Sequence, residues 1–235
     1  MRAVARIAAV RGRITTLYGE PPLLPRVTGP GEVRFVGGAA GPLGGDDLYV
    51  EIDVGPGADL CVRTVAASLA LPGRGFSRTR ISARIATGSR LAWLPEPLIA
   101  ASGCAHEAVS TVELAAGAAL VWREELVCGR HGEEPGDARL RMAVRRDGRP
   151  LHRHEIAVGP GAPGWAGAAV LGGARAVGSV LVVGTEINPV AATDRAALLT
   201  LEHGARLAVA TGGDLREVRS ALDPIVVRAS GEKHR

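Results

Sequence analysis

Apolar and polar positions alternate along most of this chain in short arms, and four stretches repeat one pattern. EIDVGPGADLCVRT (51–64), ARIATGSRLAWLP (83–95), VELAAGAALVWRE (112–124) and TLEHGARLAVAT (200–211) each hold an alternating arm, a glycine followed by a small residue, and a second alternating arm. Gly57, Gly88, Gly117 and Gly204 align, at separations of 31, 29 and 87 residues, the last being three times 29. Alternation with period two marks a strand with one buried face. Each unit therefore reads as a β-hairpin whose tight turn uses the positive φ that glycine tolerates. A spacing of about 30 residues is also what stacked strand units produce.

The same pattern predicts strands at 3–10, 14–17, 33–36 and 48–54. A proline-rich connector covers 20–25, and a glycine-rich loop over 37–47 ends in Asp46 and Asp47. Residues 139–158 read as a further hairpin turning at Asp147-Gly148, with one wet face carrying Arg145, His152 and His154. The apolar run 165–184 is interrupted by Arg175 and several glycines, so it reads as a pair of buried strands, not as a membrane span. Helix is scarce. The best stretch is 215–222, where Asp214 can cap and Glu217 completes a capping box, with Pro224 limiting or kinking it. Residues 191–198 fit a short helix or a loop. The expected fold is mainly β: two layered, mostly antiparallel sheets with β-helical coiling and one or two short helices near the C-terminus, in a single domain over 1–235.

Composition narrows this picture. Hydrophobic residues make up 46% of the chain but aromatics only 3%, so the core must be built from Val, Leu, Ile and Ala. The net charge is +4, yet the basic residues are interleaved with acids and do not form a run, which argues against a nucleic-acid partner. Cys61, Cys104 and Cys128 are widely spaced, form no zinc-type pair and define no disulfide framework. The N-terminal MRAVARIAAVRGR has no apolar signal-peptide core. A cytoplasmic protein with no membrane partner is expected.

Motifs for nucleophilic, phosphate-binding or metalloprotease chemistry are missing. His152 and His154, two apart on a strand, share a face and could hold zinc, copper or nickel; the plain alternative is a polar hairpin face. His106, His131 and His203 stand alone and read as surface residues. The distinctive polar blocks are WLPEP (93–97) and WREELVCGRHGEEPG (122–136), where acids follow core-type residues. A buried carboxylate is costly unless it is paired, hydrogen-bonded or facing water. Glu96, held between prolines, and Glu186, after an apolar run, are expected to face an internal cavity. Asp46 fits either a strand-entry cap or a functional acid. A β-sandwich hydrolase using a carboxylate pair such as Glu96 with Glu124, and a metal-free interaction module, are the alternatives from other classes.

These residues resemble the urease accessory proteins of the UreD (UreH) type. The matching segments are GGD at 44–46, LAWLPEPLI at 91–99, VWREELVCGRHGEEPG at 121–136, DGRPL at 147–151 and ATGGDLREVRSALDP at 210–224. After Thr64, where members often continue with glutamine and a lysine–tyrosine pair, this chain reads VAASLALPGRG. The resemblance implies a non-catalytic maturation factor that binds apo-urease together with a UreF-type helical protein and a UreG-type GTPase. It also implies transient Ni²⁺ with no permanent cofactor, and an internal passage for the metal. On that basis Asp46, Glu96 and Glu186 are expected to line the passage, with His152 and His154 as weaker metal candidates. Arg130 and Glu133 are expected to form a structural turn.

Overall fold

A computed structural model describes residues 1–185, 187 and 193–230. The chain opens with β1 (Arg2–Val10), β2 (Arg13–Gly19), β3 (Leu23–Gly29) and β4 (Glu32–Gly37). It then winds through β5 (Asp47–Val54), β6 (Asp59–Thr64), β7 (Ser68–Ala70), β8 (Ser77–Ile85), β9 (Arg90–Leu94), β10 (Leu98–Ala100), β11 (Ala105–Leu114) and β12 (Ala119–Val127). The last strands are β13 (Asp137–Arg146), β14 (Arg149–Val158), β15 (Ala176–Val183), β16 (Ala196–Thr200) and β17 (Arg206–Gly212), followed by α1 (Leu215–Ser230).

The strands form a β-solenoid of two mixed sheets. One is seven-stranded, in the order β14-β13-β11-β8-β5-β1-β2. The other runs β16-β17-β15-β12-β9-β6-β4-β3, and the short strands β7 and β10 pair beside it. The centres are parallel: β1, β5, β8, β11 and β13 in the first sheet, β4, β6, β9 and β12 in the second. Antiparallel pairs lie at the edges.

This arrangement revises the hairpin reading of the repeats. The arms around Gly57 do not pair with each other; β5 pairs with β1 and β8, while β6 pairs with β4 and β9. Gly57, Gly88 and Gly117, with φ of 69°, 67° and 71°, sit in arches that carry the chain from one sheet to the other. An arch and a hairpin share one sequence signature, because both need a glycine turn between alternating arms. The difference lies in where the apolar faces go: in an arch they meet across the gap. Gly204 belongs to another device, a loop with a 3₁₀ turn (Glu202–Gly204) that joins the antiparallel strands β16 and β17. Its place in the 29-residue frame is therefore accidental.

The coil repeat stacks like residues in register. Ile7, Ile52, Ala83, Val112 and Val144 form one buried column; Leu60, Leu91, Leu120 and Val183 form another facing it. Trp93 stacks on Trp122 at 5.3 Å between ring centroids. The outer face of the first sheet alternates charge strand by strand, as in the row Asp53, Arg84, Glu113, Arg145. Ion pairs such as Arg84–Asp53 (2.7 Å) and Arg141–Glu107 (2.8 Å) cross it. A one-residue slip would set these rows facing inward, so register is strongly specified.

The outer face of the second sheet is covered by α1. Val218, Leu222, Ile225 and Val226 pack on Leu94, Val121, Val180 and Ala210. The helix continues beyond the expected 215–222 and through Pro224, because Ile225 and Val226 prolong its buried stripe. Asp214 accepts the amides of Arg216 and Glu217, while Glu217 reaches back to the amide of Gly213. The expected pair of strands in 165–184 is one strand, β15; residues 161–174 form successive turns, since Gly or Pro recurs too often for a ladder. In the β13–β14 hairpin, Asp147 (φ 49°) and Gly148 (φ 72°) make the turn. A register shift between Val144 and Arg145 follows, and Arg145 faces outward while His152 and His154 face between the sheets. The wet face expected to carry all three does not exist. The residues expected to form a short helix or loop, 191–198, include 191 and 192, which lie outside the described residues; 196–198 enter β16.

Candidate functional site

β12 builds the site by simple alternation. Leu120, Trp122, Glu124 and Leu126 point between the sheets; Val121, Arg123, Glu125 and Val127 point toward α1. Two adjacent acids thus enter different environments.

Between the sheets, Glu124 Oε1 accepts hydrogen bonds from Ser110 Oγ (2.9 Å) and Trp122 Nε1 (3.2 Å). Its Oε2 is buried and has no hydrogen-bond donor. The nearest partner is His154 Nε2 at 3.4 Å, and His154 Nδ1 lies 2.9 Å from His152 Nε2. Burial lowers the pKa of His152, and the neighbouring His154 adds to the effect. The three side chains form a chain, not a cage. Among the described residues no group of three or more His, Cys, Asp or Glu side chains is arranged to hold a metal ion.

Two cavities meet at Glu124. One, of about 380 Å³, is lined by residues including Phe35, Thr64, Trp93, Glu96, His106 and Ser110. The other, of about 630 Å³, is lined by residues including His154, Ile156, Pro163, Val170 and Ser179. Glu124 and Leu140 belong to both walls. His106, read from sequence as a surface residue, is 2% exposed. Burial pulls its pKa down to about 4, against the opposing pull of Glu107.

On the helix side the charges are paired. Arg219 holds the fully buried Glu125 through Nη2 (2.7 Å) and Nε (3.1 Å), and also binds Glu96 at 2.9 Å. Arg123 donates to the Pro95 carbonyl (2.9 Å) and approaches Asp223 at 3.5 Å. Burial lowers the Arg123 pKa and Glu125 opposes that; hydrogen bonds to Glu125 raise the pKa of Arg219. Glu96 also fixes its loop, its amide donating to Thr64 Oγ1 at 2.9 Å. It borders the smaller cavity, and its carboxylate is paired with Arg219.

Asp46 is buried and committed. Its carboxylate accepts the Met1 ammonium at 2.8 Å and the Leu43 amide at 2.9 Å. Burial opposes ionisation, yet these two bonds hold its pKa below the ordinary value. Glu186 lies outside the described residues. Arg130 and Glu133 form a bidentate pair (2.7 and 2.9 Å) that also engages the Arg130 amide, and this holds the Glu133 pKa down to about 2. Sequence reasoning named Glu124 only as a possible catalytic partner and missed the roles of Glu125, Arg219 and His106. The period-two phase of WREELV, with Trp122 and Leu126 flanking Glu124 on one face, was the available signal.

The sequence model of the UreD urease accessory protein family matches residues 8–234. The chain belongs to the UreD family. It is 44% identical to the UreD urease accessory protein of Streptomyces avermitilis over 241 residues, covering 95% of both chains. Against the UreD protein of Parafrankia sp. it is 42% identical over 243 residues, covering 91% of this chain and 82% of the relative. The UreD protein of Streptomyces coelicolor is 43% identical over 241 residues, covering 95% and 94%. UreD proteins are non-catalytic factors of urease maturation, involved in nickel delivery to urease. Membership removes the hydrolase alternative. No described helix is long and apolar enough to cross a membrane.

Proposed function

We propose that this UreD protein is a cytoplasmic scaffold that binds apo-urease, assembles with a UreF-type helical protein and a UreG-type GTPase, and passes Ni²⁺ through the space between its sheets. The observation that carries this reading is that one carboxylate residue, Glu124, lines both cavities and keeps a buried oxygen without a hydrogen-bond partner. A conduit must bind its ion weakly at each stop, since a complete cage would retain it. A single carboxylate beside a single imidazole fits that need. In this reading Glu124 supplies the central stop and Glu96 the acidic rim, while Asp46 closes its loop on Met1 and Leu43.

The test is nickel-dependent activation of apo-urease with the two partner proteins and an Ala108→Phe variant. Ala108 lines the smaller cavity between the positions of His106 and Ser110 on β11. Overpacking costs about 1–3 kcal/mol, so folding is checked by thermal melting. The expected result is normal complex assembly with greatly slowed activation. A folded, assembled variant that activates urease at the wild-type rate would overturn the passage.

A further inference from the structure

We infer that His106 is a nitrogen ligand for the passing Ni²⁺, held ready by Ser77, one stop away from Glu124; this rests on the passage reading. The ring lines the smaller cavity. Its Nδ1 lies 2.9 Å from Ser77 Oγ, and that hydroxyl lies 3.3 Å from the Ala105 carbonyl. With Ser77 donating to Ala105, Nδ1–H donates to Ser77, and the lone pair is left on Nε2. Metal-binding imidazoles are oriented in this way, with the second ring nitrogen donating to a fixed acceptor. No described residue hydrogen-bonds to Nε2.

Burial supplies the second requirement. A metal-binding imidazole must be neutral, and a ring only 2% exposed is poorly placed to carry a charge. Ser77 is itself fully buried, so the orienting bond does not compete with water.

Spacing supplies the third. His106, Ala108 and Ser110 alternate along the inner face of β11, and Ser110 binds Glu124. At roughly 3.3 Å per residue, His106 stands about 13 Å along the strand from Ser110. One ion cannot bridge His106 and Glu124, so the two act as successive single-ligand stops. A nitrogen donor at this stop favours Ni²⁺ over Mg²⁺ and Ca²⁺, which prefer oxygen. His106 would therefore add selection that the carboxylate by itself does not supply.

The experiment uses the full chain labelled with ¹⁵N-histidine and titrated with nickel chloride, then with magnesium chloride. The expected result is selective paramagnetic loss of the His106 ring signals with nickel and no change with magnesium. Persistence of those signals while His152 and His154 respond would overturn the assignment. Ser77→Ala, a mild change, should weaken the His106 response about tenfold; an unchanged response would overturn the orienting role of Ser77. In the urease activation assay, His106→Gln should slow loading at limiting nickel and recover at excess. If His106→Gln loads at the wild-type rate while Ala108→Phe is blocked, the imidazole stop fails and the passage survives. If Ala108→Phe also loads normally, the passage itself fails.

Discussion

Glu124 and Glu125 are neighbours on one strand, yet they do opposite things. Glu125 is fully buried under α1, and Arg219 neutralises it at 2.7 Å. Glu124 is nearly as buried and lines both cavities, but keeps one buried oxygen without a hydrogen-bond partner. The first carboxylate is spent on holding the helix; the second keeps an oxygen that no protein donor fills. A buried charge stabilises only while its partner stays in place, and removing one member of such a pair leaves the other uncompensated. A carboxylate with an unfilled oxygen adds little to folding; in the proposed passage it is the group that meets the ion.

Four substitutions press on that contrast. The largest effect is expected for Glu125→Ala, which removes the fully buried partner of Arg219 and leaves that arginine only Glu96; it should cost about 3–5 kcal/mol in denaturant unfolding. A loss under 1 kcal/mol would show that the helix docks by apolar contact alone.

Gly117→Ala comes next. A Cβ there would meet only Thr87 Cγ2 at 4.0 Å, so the cost is that of φ 71° and not of crowding. About 1–2 kcal/mol is expected, with the Trp122 fluorescence unchanged. An altered Trp122 signal would mean that the arch, and not the packing of β12, sets which acid faces inward.

Arg130→Ala should lower the melting temperature by a few degrees without altering nickel transfer. The Glu133 carboxyl is held at about 2, from an ordinary 4.5, first by the Arg130 side chain. Its ionised form is favoured in the folded state, so the contribution of the pair is complete above pH 4.5 and fades as pH falls through about 2. The melting difference between wild type and variant should shrink over that window. A folded variant defective only in delivery would give this turn a direct role.

The smallest stability change is expected for Glu124→Gln. The amide oxygen keeps the bonds from Ser110 and Trp122, and the unpaired anionic oxygen is lost, so stability should stay within about 1 kcal/mol of wild type. Urease activation should nevertheless fall. Stability lost as severely as in Glu125→Ala would erase the contrast between the two acids.

Much of the fold was legible. Alternation marked the strands, and the glycine separations of 31 and 29 residues equal the coil length: Asp59 pairs with Arg90, and Arg90 with Ala119. What misled was local. Arch and hairpin are written alike, and β13–β14 carried Arg145 and the two histidines on faces that one register shift separated. His106 gave no signal, because nothing beside it in sequence announces Ser77, 29 residues earlier.

By itself the sequence determined that the chain would be strand-rich, that its coils would be about thirty residues long, and that it belonged with the UreD proteins. These rest on periodicity and on contiguous motifs, which a linear reading preserves. Only the tertiary structure decided which of two adjacent acids met arginine and which met a cavity. The partners concerned, Arg219 for Glu125 and Ser110 with His154 for Glu124, lie on other elements, and only the winding of the strands and the docking of α1 bring them to β12.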